Sequence, residues 1–82
     1  MSKGEYRVGV DFNPSGNPAV AEVKALAAKL IDAIEDLRPE LRWLSSTYAA
    51  EVARLKAHAQ TLIEDGCRAA VAAATKPDTK KE

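Results

Sequence analysis

The sequence is poor in large side chains, sulfur and net charge, and each shortage removes a class of function. Only 5% of its 82 residues are aromatic (Tyr6, Phe12, Trp43 and Tyr48), while 46% are apolar and sixteen of those are alanine. Alanine adds little buried area per residue, and a chain of this length has only a small core to itself. The composition therefore fits one domain of helices packed closely against each other and against further copies. A single cysteine, Cys67, excludes an intramolecular disulfide and a multi-cysteine metal site. Twelve basic residues balance twelve acidic ones, which argues against a DNA or RNA duplex as partner, because duplex binding neutralises many phosphates. An anionic ligand must then be small and locally held. The longest apolar run, Ala69 to Ala74, is too short to span a membrane. No succession of charged, apolar and small residues like that of a signal peptide opens the sequence, and a cytoplasmic protein is expected.

Catalytic and metal-binding patterns are also missing. A thiol nucleophile needs its base within hydrogen-bond reach, yet His58 and Cys67 are nine residues apart on one expected helix, roughly 13 Å along its axis. Asp32, Glu35 and Asp36, then Glu64 and Asp65, read as wetted helix faces with no histidine in ligand register. No glycine-rich phosphate loop, CxxC or GxSxG occurs. The chain reads as a non-enzyme without metal or cofactor.

What is present organises into an all-α hairpin with three regions: residues 1–17 as an extended arm and turn, 18–76 as two antiparallel helices, and 77–82 as a mobile polar tail. Tyr6, Val8, Val10 and Phe12 alternate with Arg7, Gly9 and Asp11, and period two predicts an extended segment with one apolar edge. The turn "FNPSGNP" follows. Pro14 presets its own φ, Gly16 lets the chain reverse, Asn17 offers an N-cap oxygen, and Pro18 suits the first helical position.

The first helix is predicted over Pro18 to Leu37, with Val20, Val23, Ala27, Leu30, Ile34 and Leu37 as its seam and Leu26 and Ile31 widening it. Lys24 falls just beside this seam, with Ala21 and Ala28 as outer neighbours, and makes a shallow shelf with one ammonium. Pro39 and Ser45 to Thr47 are both credible starts for the second helix. Its seam reads Leu41, Leu44, Tyr48, Val52, Leu55, Ala59, Leu62, Ile63, Gly66, Ala70 and Ala73, and Pro77 ends it. Gly66 costs roughly 1 kcal/mol relative to alanine and permits a close crossing. Such a hairpin leaves apolar surface uncovered, including Trp43, so a homo-oligomer is expected. Arg68 complements the second helix's C-terminal half or contacts a phosphate.

Phe12, the only phenylalanine, admits two roles. It packs back on the first helix as a staple, or it offers a stacking surface beside free helix N-terminal amides and within reach of Lys24. In the second role a planar base occupies the ring, an anion meets the ammonium, and Arg7 adds a second cation.

The stretch "YRVGVDFNPSGNPAVAEVKALAAKLID" resembles the N-terminal part of the small phage proteins that sequester cyclic oligonucleotides and silence cyclic-oligonucleotide-based antiphage signalling, the anti-CBASS sponges. "LIEDGCRAAVAAATKP" is similar to their closing segment, although Arg68-Ala69 and Ala72 stand where the family usually has a Met-Trp pair and a later lysine. The resemblance implies a protein of the infected bacterial cytoplasm that binds a 3′,3′-cyclic dinucleotide such as cGAMP between paired subunits of a hexamer, without cleaving it. It implies that Phe12, where one well-known relative uses tyrosine, stacks on a nucleobase, that Asn13 and Pro14 shape the turn, and that Lys24 contacts the cyclic phosphate backbone. Arg7, Ala28 and Arg68 complete the ligand-binding set. Family members also hold cyclic trinucleotides at a separate site. The competing class is a structural or protein-interaction hairpin that presents Trp43 to a partner and has no small-molecule ligand.

Overall fold

A computed structural model describes residues 1–38 and 45–78. Three helices follow in order: α1, Lys3–Val8; α2, Pro18–Glu35; and α3, Ser46–Thr75. Among the described residues there is no strand.

The extended arm is a correction. Ser2 and Glu5 form a capping box, in which the Ser2 hydroxyl accepts from the Glu5 amide at 3.1 Å and the Glu5 carboxylate accepts from the Ser2 amide at 2.8 Å. This nucleates α1 across the very residues whose apolar alternation suggests a strand. Gly9 ends the helix in the left-handed region with φ 65°, which glycine adopts without a side-chain penalty.

α1 lies on α2 because Gly4 has no side chain. A Cβ there would sit 2.1 Å from the Ala28 carbonyl oxygen, and the Gly4 amide donates to Asp32 Oδ1 at 2.7 Å. The other flank of α1 reaches α3, where Arg7 Nε donates to Glu64 Oε1 at 2.8 Å.

α2 starts as expected: Asn17 Oδ1 accepts from the Ala19 amide at 2.8 Å, and Pro18 occupies the first turn. It ends at Glu35, two residues before the expected Leu37. Ser45 caps α3 by accepting from the Tyr48 amide at 3.1 Å, so the later of the two possible starts is used. Leu41, Trp43 and Leu44 lie outside the described residues, as does the 79–82 part of the expected tail. The two long helices run antiparallel. Asn17 Nδ2 reaches the Ala74 carbonyl at one end, and Lys56 Nζ donates to the Glu35 and Leu37 carbonyls at 2.9 and 3.1 Å at the other.

The core is narrow and partly polar. Val20, Lys24, Ala28 and Ile31 are buried on α2, and Gln60 and Cys67 on α3. Gln60 Nε2 donates to the Ile31 carbonyl at 3.1 Å and to Glu35 Oε1 at 3.0 Å, so its burial leaves no polar group unmet. The line of burial on α2 is displaced from the predicted seam toward Lys24 and Ala28. Val23, Ala27 and Ile34 are half-buried, while Leu30 is 47% exposed. The cause is α1, which covers the flank that a two-helix hairpin would leave open. Gly66 is exposed with open space around it, so it serves no close crossing within the chain.

Candidate functional site

The turn between α1 and α2 is built from short polar side chains that bond to their own backbone. The Phe12 amide donates to the Gly9 carbonyl at 2.9 Å and the Gly16 amide to the Asn13 carbonyl at 3.0 Å. Gly16 supplies the second positive φ, 63°. Asn13 Nδ2 donates to the Asn17 carbonyl at 2.9 Å, and the Ser15 hydroxyl donates to Asn13 Oδ1 at 3.2 Å. A turn so pinned holds Phe12 in a fixed place, with the residue 70% exposed.

Beneath it lies Lys24, only 7% exposed. Its ammonium donates to the Gly9 carbonyl at 3.0 Å and to the Phe12 carbonyl, and sits 5.4 Å from the centre of the Phe12 ring. All of these partners are neutral. The ion pairs between described residues use Lys3, Arg7, Arg54 and Arg68 instead. Lys24 is therefore a buried positive charge met by two carbonyl dipoles and an aromatic face, an arrangement that favours a nearby anion.

Phe12, Asn13, Pro14 and Ser15 from the turn, Val20 and Lys24 from α2, and Val71 and Thr75 from α3 line one groove of about 320 Å³. Apart from Asn13 and Lys24, the side chains lining it are apolar or hydroxyl-bearing. Thr75 Oγ1 donates to the Val71 carbonyl at 2.8 Å, which turns its lone pairs outward. The start of α2, with its partial positive charge, adjoins the same groove.

Four of the residues expected at a ligand site, Phe12, Asn13, Pro14 and Lys24, thus come together. The other three do not join them. Arg7 is held by Glu64, with Nη2 2.6 Å from Oε1, and it reaches Thr61 Oγ1 at 3.4 Å. Ala28 is 3% exposed because Gly4 lies on it, so it offers a ligand no surface. Arg68 bonds to Glu64 at 2.6 Å and Asp65 at 2.9 Å on the outer face of α3. Ser15, Val20, Val71 and Thr75 complete the groove without having been singled out. An antiparallel hairpin brings the last turns of α3 opposite the first turn of α2, and that geometry is the signal that points to Val71 and Thr75.

A slightly larger concavity, about 350 Å³, lies at the opposite end between Ile34, Leu37, Val52, Leu55 and Ala59. The cations at its rim, Arg38 and Lys56, are occupied with the Glu35 and Leu37 carbonyls at and just after the end of α2. Among the described residues that line it, none is a buried charge. Burial pushes the Cys67 thiol up, away from the reactive thiolate, and His58 is exposed on the same helix. Among the described residues no group of three or more His, Cys, Asp or Glu could hold a metal ion, and no helix is long and apolar enough to cross a membrane.

No curated protein and no solved structure matched the chain in searches of each. The Acb2/Tad1 hairpin-domain family model, however, matches residues 4–75, a span that includes α1 from its second residue, the turn, α2 and all of α3. An aromatic ring over a buried lysine at one end of a helical hairpin is thus a feature of a chain that belongs to the Acb2/Tad1 hairpin family, the anti-CBASS cyclic-oligonucleotide sponges.

Proposed function

We propose that this protein sequesters a host 3′,3′-cyclic dinucleotide of the cGAMP type in the Phe12–Lys24 groove and releases it chemically unchanged. The observation that carries the reading is the Lys24 ammonium: 7% exposed, bonded to neutral groups, and adjoining an open groove under an exposed ring. A cyclic dinucleotide offers a flat base for the ring and a phosphate for the charge. Asn13 and Pro14 shape the turn that presents Phe12. Tight binding by an abundant protein lowers the free messenger below the level that its effector needs, and this requires no catalytic group. The site of action on this reading is the cytoplasm of an infected bacterium.

The same reading assigns a homo-oligomer, a hexamer by family resemblance, with the ligand lying where two subunits meet. Supporting it, Leu26 and Leu30 on α2, Leu37 just after it, and Leu55 and Leu62 on α3 are large apolar side chains left exposed. A twofold interface would present two copies of Phe12 and Lys24 to a ligand with two bases and two phosphates. Arg7 and Arg68 act on this reading through Glu64 rather than by touching the ligand.

The test is incubation of purified protein with a panel of cyclic di- and trinucleotides, removal of unbound nucleotide, denaturation, and mass analysis of what is released. The expected outcome is an intact cyclic dinucleotide. Linear product would make the protein a phosphodiesterase. Release of nothing across the panel would favour the interaction hairpin.

A further inference from the structure

We propose that Lys24 is a positioning residue as well as a ligand contact, and that its ammonium ties the docking of α1 to the presentation of Phe12, so that Gly4 controls ligand affinity from outside the groove. The ligand half of this inference rests on the function proposed above. The mechanical half stands on the geometry alone.

The Gly9 carbonyl accepts from two sides, the Phe12 amide at 2.9 Å and Lys24 Nζ at 3.0 Å. Lys24 also binds the Phe12 carbonyl. One ammonium therefore fastens both ends of the turn from Gly9 to Phe12, which leaves one of its three N–H donors for an anion. The upstream end of that turn is the C-cap of α1. α1 in turn is held by contacts remote from the groove: the Gly4 amide on Asp32, the Gly4 backbone against the Ala28 carbonyl, and Arg7 on Glu64. If α1 lifts, the Gly9 carbonyl leaves Lys24 and the ring loses one of its two anchors. Docking of α1 and filling of the groove are then linked equilibria, each strengthening the other by the same factor.

Gly4→Ala tests this, since the added methyl would collide with the Ala28 carbonyl, which is backbone and cannot swing aside, and would also crowd Asp32 Oδ1. Asp32→Ala removes the same attachment without adding an atom, and it decides the matter should Gly4→Ala fail to fold. Hydrogen exchange at the Tyr6, Gly9 and Val10 amides, which bond to Ser2, Tyr6 and Glu5 carbonyls, reports whether α1 is docked.

Both variants should speed exchange there, leave most α2 and α3 amides as in the wild type, and weaken 3′,3′-cGAMP binding on the order of 5- to 150-fold. Without ligand, Lys24→Met should speed exchange at the same three amides, and in the wild type cGAMP should slow it. Unchanged exchange in ligand-free Lys24→Met overturns the coupling. So does wild-type affinity in a variant whose α1 has come loose. A wild-type protein that binds no cyclic dinucleotide overturns the functional reading instead, and the ligand-free arm still decides the mechanical one.

Discussion

Phe12 and Glu35 are the two residues whose environments make the sharpest demands. Phe12 contributes little to the core because its ring faces solvent. Phe12→Ala should accordingly weaken nucleotide binding by about 1–3 kcal/mol, the usual worth of one stacked base, while the melting temperature stays near that of the wild type. A cooperative loss of folding in that variant would show the ring to be a staple. Glu35 is the hub at the other end of the hairpin, accepting from Lys3 at 2.8 Å and from Gln60 at 3.0 Å. Chiefly the Lys3 hydrogen bond, then that of Gln60, holds its carboxyl down at about 2, against an ordinary value of 4.5. A folded-state value below the unfolded one means stability that is present above pH 4.5 and is lost as pH falls toward 2. Between those limits the melting temperature of Glu35→Gln should fall less with acid than that of the wild type. Parallel curves would place the acid sensitivity elsewhere.

At the scale of elements, the start of α2 was legible from Asn17 and Pro18 because capping is local chemistry, written in adjacent residues. The Ser2–Glu5 capping box was equally local, but the alternation from Tyr6 to Phe12 competed with it, and Tyr6 on the resulting helix faces solvent. What no local pattern contained was the docking of Gly4 on Ala28. That contact is tertiary, and it shifts burial on α2 from the leucines toward Lys24. The position of Lys24 beside the seam was readable; its burial was not. Gly66 illustrates the converse. It sits inside α3 with space for a side chain, so Gly66→Ala should stabilise the helix by up to about 1 kcal/mol and leave nucleotide affinity unchanged. Chemical denaturation with a binding assay checks both. A destabilised or dissociated variant would mean that a neighbouring subunit packs on Gly66.

The whole molecule is a slender object, 61 × 26 × 13 Å, with a radius of gyration of 16.5 Å where a compact chain of this length has about 12 Å. Its accessible surface is 6045 Å², whereas roughly 4,800 Å² is usual for a folded monomer of this mass. The excess includes the leucines of both long helices, which the sequence suggested would meet each other. They are instead on the outside, where a second copy can cover them. Sedimentation should therefore give a mass above that of one chain at micromolar concentration, and Leu30→Glu should shift it toward the monomer. A wild type that sediments as a monomer would remove the subunit junction from the account.

The central claim is that a buried lysine charge and an exposed ring grip a cyclic dinucleotide, and it is tested most directly by titration calorimetry of 3′,3′-cGAMP into the wild type and Lys24→Met. The account predicts saturable heat in the wild type and a loss of at least about 1.5 kcal/mol of binding free energy in the variant, the worth of one hydrogen bond to a charged group. Equal affinity in the two proteins would contradict it.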